Sequence, residues 1–487
     1  MNQKRIDITS TGIQITPYHK NQCPYLEKLT STFDAVRHRR NPVTGFFLDY
    51  DSTYPCFVTH MHQSNFIQGL FPGYSIRHIP PTRGYPLLEH FQLNPEITPR
   101  DVQSDIINQI VNDTKNNDWF VYLSQGLGKT LLSVYLISYF NTKTLIMCYN
   151  KDILHQWFIT MRDKTNINPQ RIIIIDSSKI FEKILHNDFP TNDFDIFMCT
   201  PGLLSSFGKR NGFQNLLKLF DLMHIGFKIF DEAHRNIANI VKINAFTSVQ
   251  RTLYLSGDFG QSNKTKEKLY FNIFHNIPVI QPSKDMMNTL KFTVAIVIKY
   301  NTHPNELQKA SCVTRRGFSF FEYMKYQFAQ DEFFNRLDDV IHQIIQTNVN
   351  HYKTLILVNL IEHVDELYDI LSEKYGSQFT IGKYHSKVEQ EDKEYCKENC
   401  DMIISTYQSF STGIDVSLIK YVVSCAICTK IDDNQSSGRA RPLSDNSDVY
   451  YFMFADMGFS YTKKTLGKRL RYLQETKIKD IKLIDYT

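Results

Sequence analysis

One stretch constrains this chain more than any other: Trp119–Tyr139, WFVYLSQGLGKTLLSVYLISY. Its apolar start, Trp119–Leu123, reads as a buried parallel strand. The strand breaks into Ser124-Gln125-Gly126-Leu127-Gly128-Lys129-Thr130, after which Leu131, Leu132, Tyr135, Leu136 and Tyr139 recur at helical spacing. A strand, a glycine loop and a helix start in that order make a phosphate cradle, because glycine lets backbone N–H groups reach oxygens that side chains would block. Gly126, Leu127, Gly128, Lys129 and Thr130 are the candidate binding residues. Lys129 is expected against the β- and γ-phosphates of ATP, and the Thr130 hydroxyl on Mg²⁺. The full motif has a glycine five residues before Gly128, where this chain has Leu123. The alternative for the stretch alone is an ordinary glycine turn with a surface lysine.

The flanking pattern bears on that choice. Thr144–Tyr149, Arg171–Asp176, Asp195–Thr200, Lys228–Phe230 and Arg251–Ser256 are strand-like, and Ile153–Met161 is helix-like. Strands spaced by helices predict a doubly wound parallel sheet with its ligand at the strand C-terminal ends. Asp231-Glu232-Ala233-His234 closes one of those strands. Asp231 is placed to hold Mg²⁺ through water, and Glu232 to orient or deprotonate a water attacking a γ-phosphate. Upstream, Thr98–Gln103 leads into an apolar-periodic helix over Ile106–Ile110. Gln103 is a candidate for an adenine edge; the alternative is an exposed polar face at a helix start. A second alternating block follows: strand-like Phe292–Lys299, a helix through Asp331–Gln346, and strands at Thr354–Val358 and Met402–Ser405.

At 487 residues the chain has room for two or three domains, and 42% hydrophobic with 22% charged residues describes a soluble globular protein. A net charge of +5 is compatible with nucleic acid without demanding it. No apolar run approaches the roughly 20 residues of a membrane span, and the start, MNQKRIDITSTG, has no secretory core. A cytoplasmic location, or a virion if the source is viral, is expected. Nine scattered cysteines suit a reducing compartment. Cys425 and Cys428 with Cys396 and Cys400 invite a zinc reading, but Tyr421–Cys428 reads as a buried strand, where residues three apart face opposite sides. Residues 1–96 read as a small accessory domain of short strands such as Thr44–Leu48 and Cys56–His60, separated by prolines. The basic run Arg37-His38-Arg39-Arg40 is a phosphate contact or a solvated face.

Together these residues resemble superfamily 2 helicases and translocases of the DEAH-box type, over about residues 97–475. GLGKT resembles motif I and DEAH motif II. Asn150–Trp157 is similar to motif Ia, and Thr200-Pro201-Gly202 to motif Ib. Leu255-Ser256-Gly257-Asp258 stands where the family has Ser-Ala-Thr, with Asp258 in place of Thr. Thr406–Val416 is similar to motif V. Gln435-Ser436-Ser437-Gly438-Arg439-Ala440-Arg441-Pro442 resembles motif VI, with Pro442 where the second family arginine stands and Arg441 one residue early. Within the superfamily the chain resembles the viral and phage helicases of the UvsW type and the poxvirus transcript-release helicase. The tail Tyr451–Leu473 is similar to the end of their second half, and its Lys463, Lys464, Lys468, Arg469 and Arg471 form either a phosphate contact or a wet basic face.

The resemblance implies two tandem RecA-like doubly wound domains, 97–284 and 285–487, behind the accessory domain. It implies ATP hydrolysis with Mg²⁺, with Lys129, Asp231, Glu232, Gln435, Arg439 and Arg441 catalytic, the arginines stabilising transition-state charge. DNA or RNA is the implied partner, bound mostly through the phosphate backbone by Thr200, Pro201, Gly202, Thr406, Gln408 and Gly413. The implied function is an ATP-dependent helicase or translocase acting on DNA in viral or phage replication, recombination or repair, with a polymerase or replication partner. A transcript-release ATPase working with RNA polymerase and an ATP-gated clamp of weak turnover are the alternatives.

Overall fold

A computed structural model describes residues 5–16, 18–19, 22–25, 47–49, 56–60, 63–123, 126–257, 273–274, 276–283, 286, 291–314, 317–348, 350–411, 416, 418–425, 443, 447–474 and 478–485. The chain divides into two compact units, Met1–Pro282 and Ser283–Thr487.

The first unit holds two sheets. Strands β1 (Arg5–Ile8), β2 (Gly12–Ile15), β3 (Phe47–Asp49), β4 (Cys56–His60) and β5 (Ser75–His78) form a five-stranded sheet in the order β3-β4-β2-β1-β5. Its pairs are antiparallel except β1 with β5. One face is closed by its own small core of Ile6, Ile8, Ile13, Ile15, Tyr18 and Phe57. From the other, Cys56 and Val58 join the main core of the unit with Ile240, Val241 and Ala245 of helix Ile237–Phe246. Gly12 makes this approach possible: a Cβ there would lie 2.7 Å from the Ala245 backbone.

The main sheet consists of β6 (Asp118–Tyr122), β7 (Thr144–Met147), β8 (Ile172–Ile174), β9 (Ile196–Cys199), β10 (Phe227–Phe230), β11 (Arg251–Ser256) and β12 (Val279–Ile280). All pairs are parallel, in the order β12-β6-β11-β10-β7-β9-β8. Helices cover both faces of such a sheet, which is why TLIM, IFMC and FKIF are buried at every residue. Two strands, β10 and β11, lie between β6 and its successor β7, so the chain leaves β6 across them. Strand order of this kind opens a crevice at the strand C-terminal ends.

The second unit carries another all-parallel sheet of seven strands: β13 (Thr293–Tyr300), β16 (Lys353–Val358), β17 (Ile381–Tyr384), β18 (Met402–Thr406), β19 (Ile419–Ser424), β20 (Val449–Asp456) and β21 (Ile478–Asp485). Their order is β17-β18-β16-β19-β20-β13-β21, and a two-stranded hairpin, β14 (Val313–Thr314) and β15 (Gly317–Phe318), stands apart. Alternate residues feed two cores, with Leu355 and Leu357 on one face and Ile356 and Val358 on the other. Cys396 and Cys400 belong to the first core and Cys425 to the second, so the sheet separates them. Cys428 lies outside the described residues. Edge strand β21, absent from the sequence reading, buries only Ile478, so its apolar signal is weak. No helix among the described residues is long and apolar enough to cross a membrane.

Candidate active site

The glycine loop leaves the C-terminal end of β6. Leu123 is not a failed glycine: it is buried, and its N–H donates to the Ser256 carbonyl at 3.1 Å, carrying the ladder one residue past the strand. The turn therefore starts later. Gly126 and Gly128 both have left-handed φ, +78° and +82°, which glycine adopts without strain. Gly128 is also needed for space, since a Cβ would meet Gln103 Nε2 at 2.2 Å. Lys129 and Thr130 open the helix Lys129–Phe140, whose first N–H groups lack intrahelical acceptors. Leu127 is buried, so its contribution to the loop is made by its backbone.

Gln103 departs from expectation. It is 1% exposed, its Nε2 donates to the Gly128 carbonyl at 2.9 Å, and its Oε1 accepts from the Arg100 N–H at 2.7 Å. Both ends of the amide are engaged inside the protein, so the side chain braces the glycine loop and the start of helix Asp101–Val111 rather than presenting an adenine-reading edge.

Asp231-Glu232-Ala233-His234 leaves β10, two strands from β6. Glu232 has φ +50°, a region that costs a branched or long residue about 1–3 kcal/mol. That turn brings its carboxylate back over the loop: Lys129 Nζ donates to Glu232 Oε1 at 3.1 Å, with both side chains nearly buried. Burial works to raise the Glu232 carboxyl, but the Lys129 ammonium, with the Arg235 guanidinium, outweighs it and holds the group well below the usual range. Asp231 moves the other way, raised by burial and by the neighbouring Glu232 charge. Two carboxylates side by side are thereby set apart in basicity.

Asp231 is held at both oxygens. The Glu232 N–H donates to Oδ1 at 3.0 Å, and the Trp157 indole N–H donates to Oδ2 at 2.9 Å. Trp157 is buried on helix Lys151–Lys164, so the segment that resembles motif Ia reaches the acidic turn directly. His234 Nδ1 lies 2.9 Å from Ser256 Oγ and 3.3 Å from Glu232 Oε2. Burial pushes its imidazole down to about 4, so at neutral pH the ring is uncharged and forms no ion pair with Glu232. Ser256 closes β11, and this contact ties the acidic turn to the position where the family has Ser-Ala-Thr. Asp258 lies outside the described residues. Neither Trp157 nor Ser256 was singled out as a site residue in the sequence; the three-dimensional meeting of β7, β10 and β11 assigns them.

The residues fit Mg²⁺ and a polyphosphate. The loop bends at Gly126 and Gly128 with left-handed φ ahead of a helix N-terminus, and the oxygen donors Thr130 and Asp231 are of the hard type Mg²⁺ takes.

The candidate nucleic-acid residues divide. Thr200 follows β9 and caps the helix Pro201–Asn211, its Oγ1 accepting from the Leu203 N–H at 3.2 Å. Pro201 is buried, and Gly202 faces open space. Thr406, at the end of β18, is buried with its hydroxyl on Ser409 Oγ at 2.9 Å and its Oγ1 accepting from the Ser409 N–H. It is a cap, not an exposed contact, and Gln408 is the exposed member of the segment. Gly413, Gln435, Arg439, Arg441 and the basic run Arg37–Arg40 lie outside the described residues. In the tail, Arg469 is buried with Nη2 3.4 Å from Ser424 Oγ, which removes it from the basic face, while Lys463, Lys464 and Lys468 are exposed.

Comparisons with known proteins bear on the family and the fold. The family described as "Type III restriction enzyme, res subunit" matches residues 96–259, and "Helicase conserved C-terminal domain" matches residues 334–442. The chain is 23% identical over 365 residues to "Transcript termination protein A18" of Myxoma virus (strain Lausanne), covering 71% of this chain and 69% of that protein. To "Transcript termination protein OPG145" of Monkeypox virus it is 21% identical over 394 residues, covering 77% and 75%. A shorter match, 27% over 148 residues, is to "General transcription and DNA repair factor IIH helicase/translocase subunit XPB" of Enterocytozoon bieneusi, covering 30% of this chain and 24% of that protein. Among solved structures, "S. cerevisiae Dbp5 bound to RNA and ADP BeF3" superposes with a TM-score of 0.53 at 12% identity, covering 80% of this chain and 90% of that one. At that identity the likeness shows the fold alone.

Proposed function

We propose, for a chain that belongs to superfamily 2 of the helicases and is related to the poxvirus transcript-release helicase, that it hydrolyses ATP to move along or separate strands of nucleic acid. The observation that carries the proposal is the 3.1 Å meeting of Lys129 with Glu232 beside an Asp231 held at both oxygens. Such a constellation serves phosphoryl transfer. The loop of Gly126, Leu127 and Gly128 offers backbone N–H groups to phosphate oxygens. Lys129 exchanges its carboxylate partner for the outer phosphates. Glu232, released from the lysine, takes up the water that attacks. Bound Mg²⁺ neutralises phosphate charge, and Thr130 and Asp231 would hold it. Gln435, Arg439 and Arg441 are proposed to complete the hydrolytic site on the strength of their sequence pattern. Gly202 and Gln408 are the proposed strand contacts of the two units.

ATP hydrolysis measured with and without DNA or RNA, for the native chain and Lys129→Ala, tests the proposal; equal rates in the two proteins would overturn it. Strand displacement on forked, 3′-tailed and 5′-tailed duplexes then separates motor from clamp.

A second reading is favoured by relatives named as transcript termination proteins. There the ATPase works with an RNA polymerase to release transcript, in the host cytoplasm or virion. Release of labelled RNA from stalled elongation complexes, dependent on ATP, is its test.

A further inference from the structure

Arg235, the residue after the acidic turn, is half-buried, and its guanidinium lies over the ring of Tyr149, 5.2 Å from the centroid. None of the guanidinium donors has a hydrogen-bond or ion-pair partner among the described residues. On the same rim Lys151 pairs with Asp176 at 3.9 Å, so that carboxylate is already matched. Tyr149 is 42% exposed. A delocalised cation with open donors beside an exposed ring suits an oxyanion next to a planar group.

The pair stands apart from the phosphate cradle. Tyr149 follows β7, and β10 and β11 lie between β7 and β6. At the usual strand spacing that places the two strand ends roughly 14 Å apart. On its other side β7 borders β9, and Gly202, in the first turn of the helix after β9, faces open space. A single-stranded nucleic acid passing over these ends would meet Gly202 and then Arg235 with Tyr149. Its phosphate suits the guanidinium, and each unpaired base has a face for the ring.

Arginine on tyrosine is common at protein surfaces; the attachments of this pair are not. The Arg235 N–H donates to the Glu232 carbonyl at 2.9 Å, closing the turn that holds Glu232 at φ +50°. Tyr149 precedes Asn150, whose side chain accepts from the Ile153 N–H at 2.9 Å and caps helix Lys151–Lys164. That helix carries Trp157, which holds Asp231. Each member of the pair is thus tied to one of the two acids.

We infer, resting on the ATPase reading above, that Arg235 and Tyr149 bind one nucleotide unit of a single nucleic-acid strand and that this contact is how the strand raises ATP turnover. The phosphate lies on the guanidinium and the base on the ring. Movement of Arg235 toward a phosphate shifts the turn that carries Glu232, and a base on Tyr149 braces the helix that carries Trp157. Both act on hydrolysis as positioning residues.

The test uses the full chain with labelled oligodeoxyadenylate and oligoadenylate. Binding is read by fluorescence anisotropy without nucleotide, over a range of salt, and ATP turnover is read at saturating strand. Arg235→Gln should weaken binding about tenfold and make the slope of log affinity against log salt shallower by about 0.7, one phosphate's share. Arg235→Lys should restore the slope. Tyr149→Ala should weaken binding about tenfold, and Tyr149→Phe should bind as the native chain does. At saturating strand, stimulation of turnover in Arg235→Gln should fall about fivefold or more. A loss confined to one oligonucleotide identifies the strand as DNA or RNA. Binding and salt slope unchanged in both Arg235→Gln and Tyr149→Ala, or full stimulation in both, would overturn the inference and leave the ATPase reading standing. Weaker binding of a fluorescent ATP analogue by Arg235→Gln would overturn it too, by assigning the guanidinium to the nucleotide. Strand binding that depends on both residues in a chain that hydrolyses no ATP would instead sink the ATPase reading and keep the binding site.

Discussion

The two seven-stranded sheets are built alike and finished differently. At the C-terminal ends of the first, carboxylate faces ammonium: Glu232 pairs with Lys129, and the turn that carries it is held in a left-handed conformation. At the end of β20 in the second, Asp456 is buried more deeply and wrapped in neutral donors. Its Oδ1 accepts from the N–H groups of Gly458 at 2.7 Å and Thr302 at 3.3 Å, and its Oδ2 from the hydroxyls of Thr302 at 2.8 Å and Tyr323 at 3.3 Å. An ion pair can be exchanged when a competing anion arrives; four fixed donors give a carboxylate nothing to exchange. The parallel sheet supplies the place, and the partner chosen for the buried acid separates a working end from a locked one.

The largest effect that would break this contrast belongs to Lys129. Lys129→Ala should reduce ATP hydrolysis to background while circular dichroism stays native; substantial residual turnover would remove the lysine from the chemistry. Glu232→Gln comes next. The amide keeps the shape but cannot take a proton, so turnover should fall about 10²-fold or more while a fluorescent ATP analogue still binds. Loss of binding together with turnover would make Glu232 a structural residue. Trp157→Phe keeps the ring and removes one hydrogen bond to a charged group, worth about 1.5–3 kcal/mol. The expected result is a roughly tenfold or larger fall in kcat, partly restored by raising Mg²⁺, because Asp231 loses its orientation. A Mg²⁺ titration that does not shift would show packing alone.

In the second unit, Asp456→Asn should cost about 1–3 kcal/mol of stability, read from the denaturant midpoint, because its new N–H groups would face existing donors. Hydrolysis per folded molecule should be unchanged. The smallest effect is a matter of acid. Burial lowers His234 to about 4, so between pH 6.5 and 4 the unfolded chain binds the proton and the folded one does not. Stability is therefore lost as the pH falls through that window, by about 1 kcal/mol at pH 5.5 from this group. His363 in the second unit, stacked on Phe328 with ring centroids 3.7 Å apart, is also pushed down to about 4 by burial and acts in the same direction. His234→Asn should flatten the slope of melting temperature against pH by its own share and leave the rest.

Much of this arrangement was legible because its signals are local. GLGKT and DEAH are contiguous, and fully covered parallel strands appear as unbroken apolar runs such as Trp119–Val121. What escaped was set by contacts distant in sequence. Trp157 reaches Asp231 across 74 positions, and nothing in NKDILHQW says that its indole N–H, rather than its ring, carries the role. Gln103, just upstream of the phosphate loop, is a candidate for an adenine edge in the sequence, yet it turns inward to a glycine carbonyl 25 positions away. Thr406 followed the same course. Threonines at strand ends are spent on capping the next helix, and capping leaves the same polar signature as ligand contact.

The close approach at Gly12 governs how the chain can be cut. Thr9 and Thr11 hydroxyls donate to the Asn244 carbonyl, and Thr11 also accepts from the buried Lys228 of β10. A fragment trimmed to the segment that matches the first family, beginning at residue 96, would strip a hydroxyl from a lysine in the middle of the sheet and bare the apolar flank of the helix just beyond the acidic turn. The first strands therefore act as a keel fixed to the half that carries the candidate active site, and shortening the chain from that end takes away ballast as well as length.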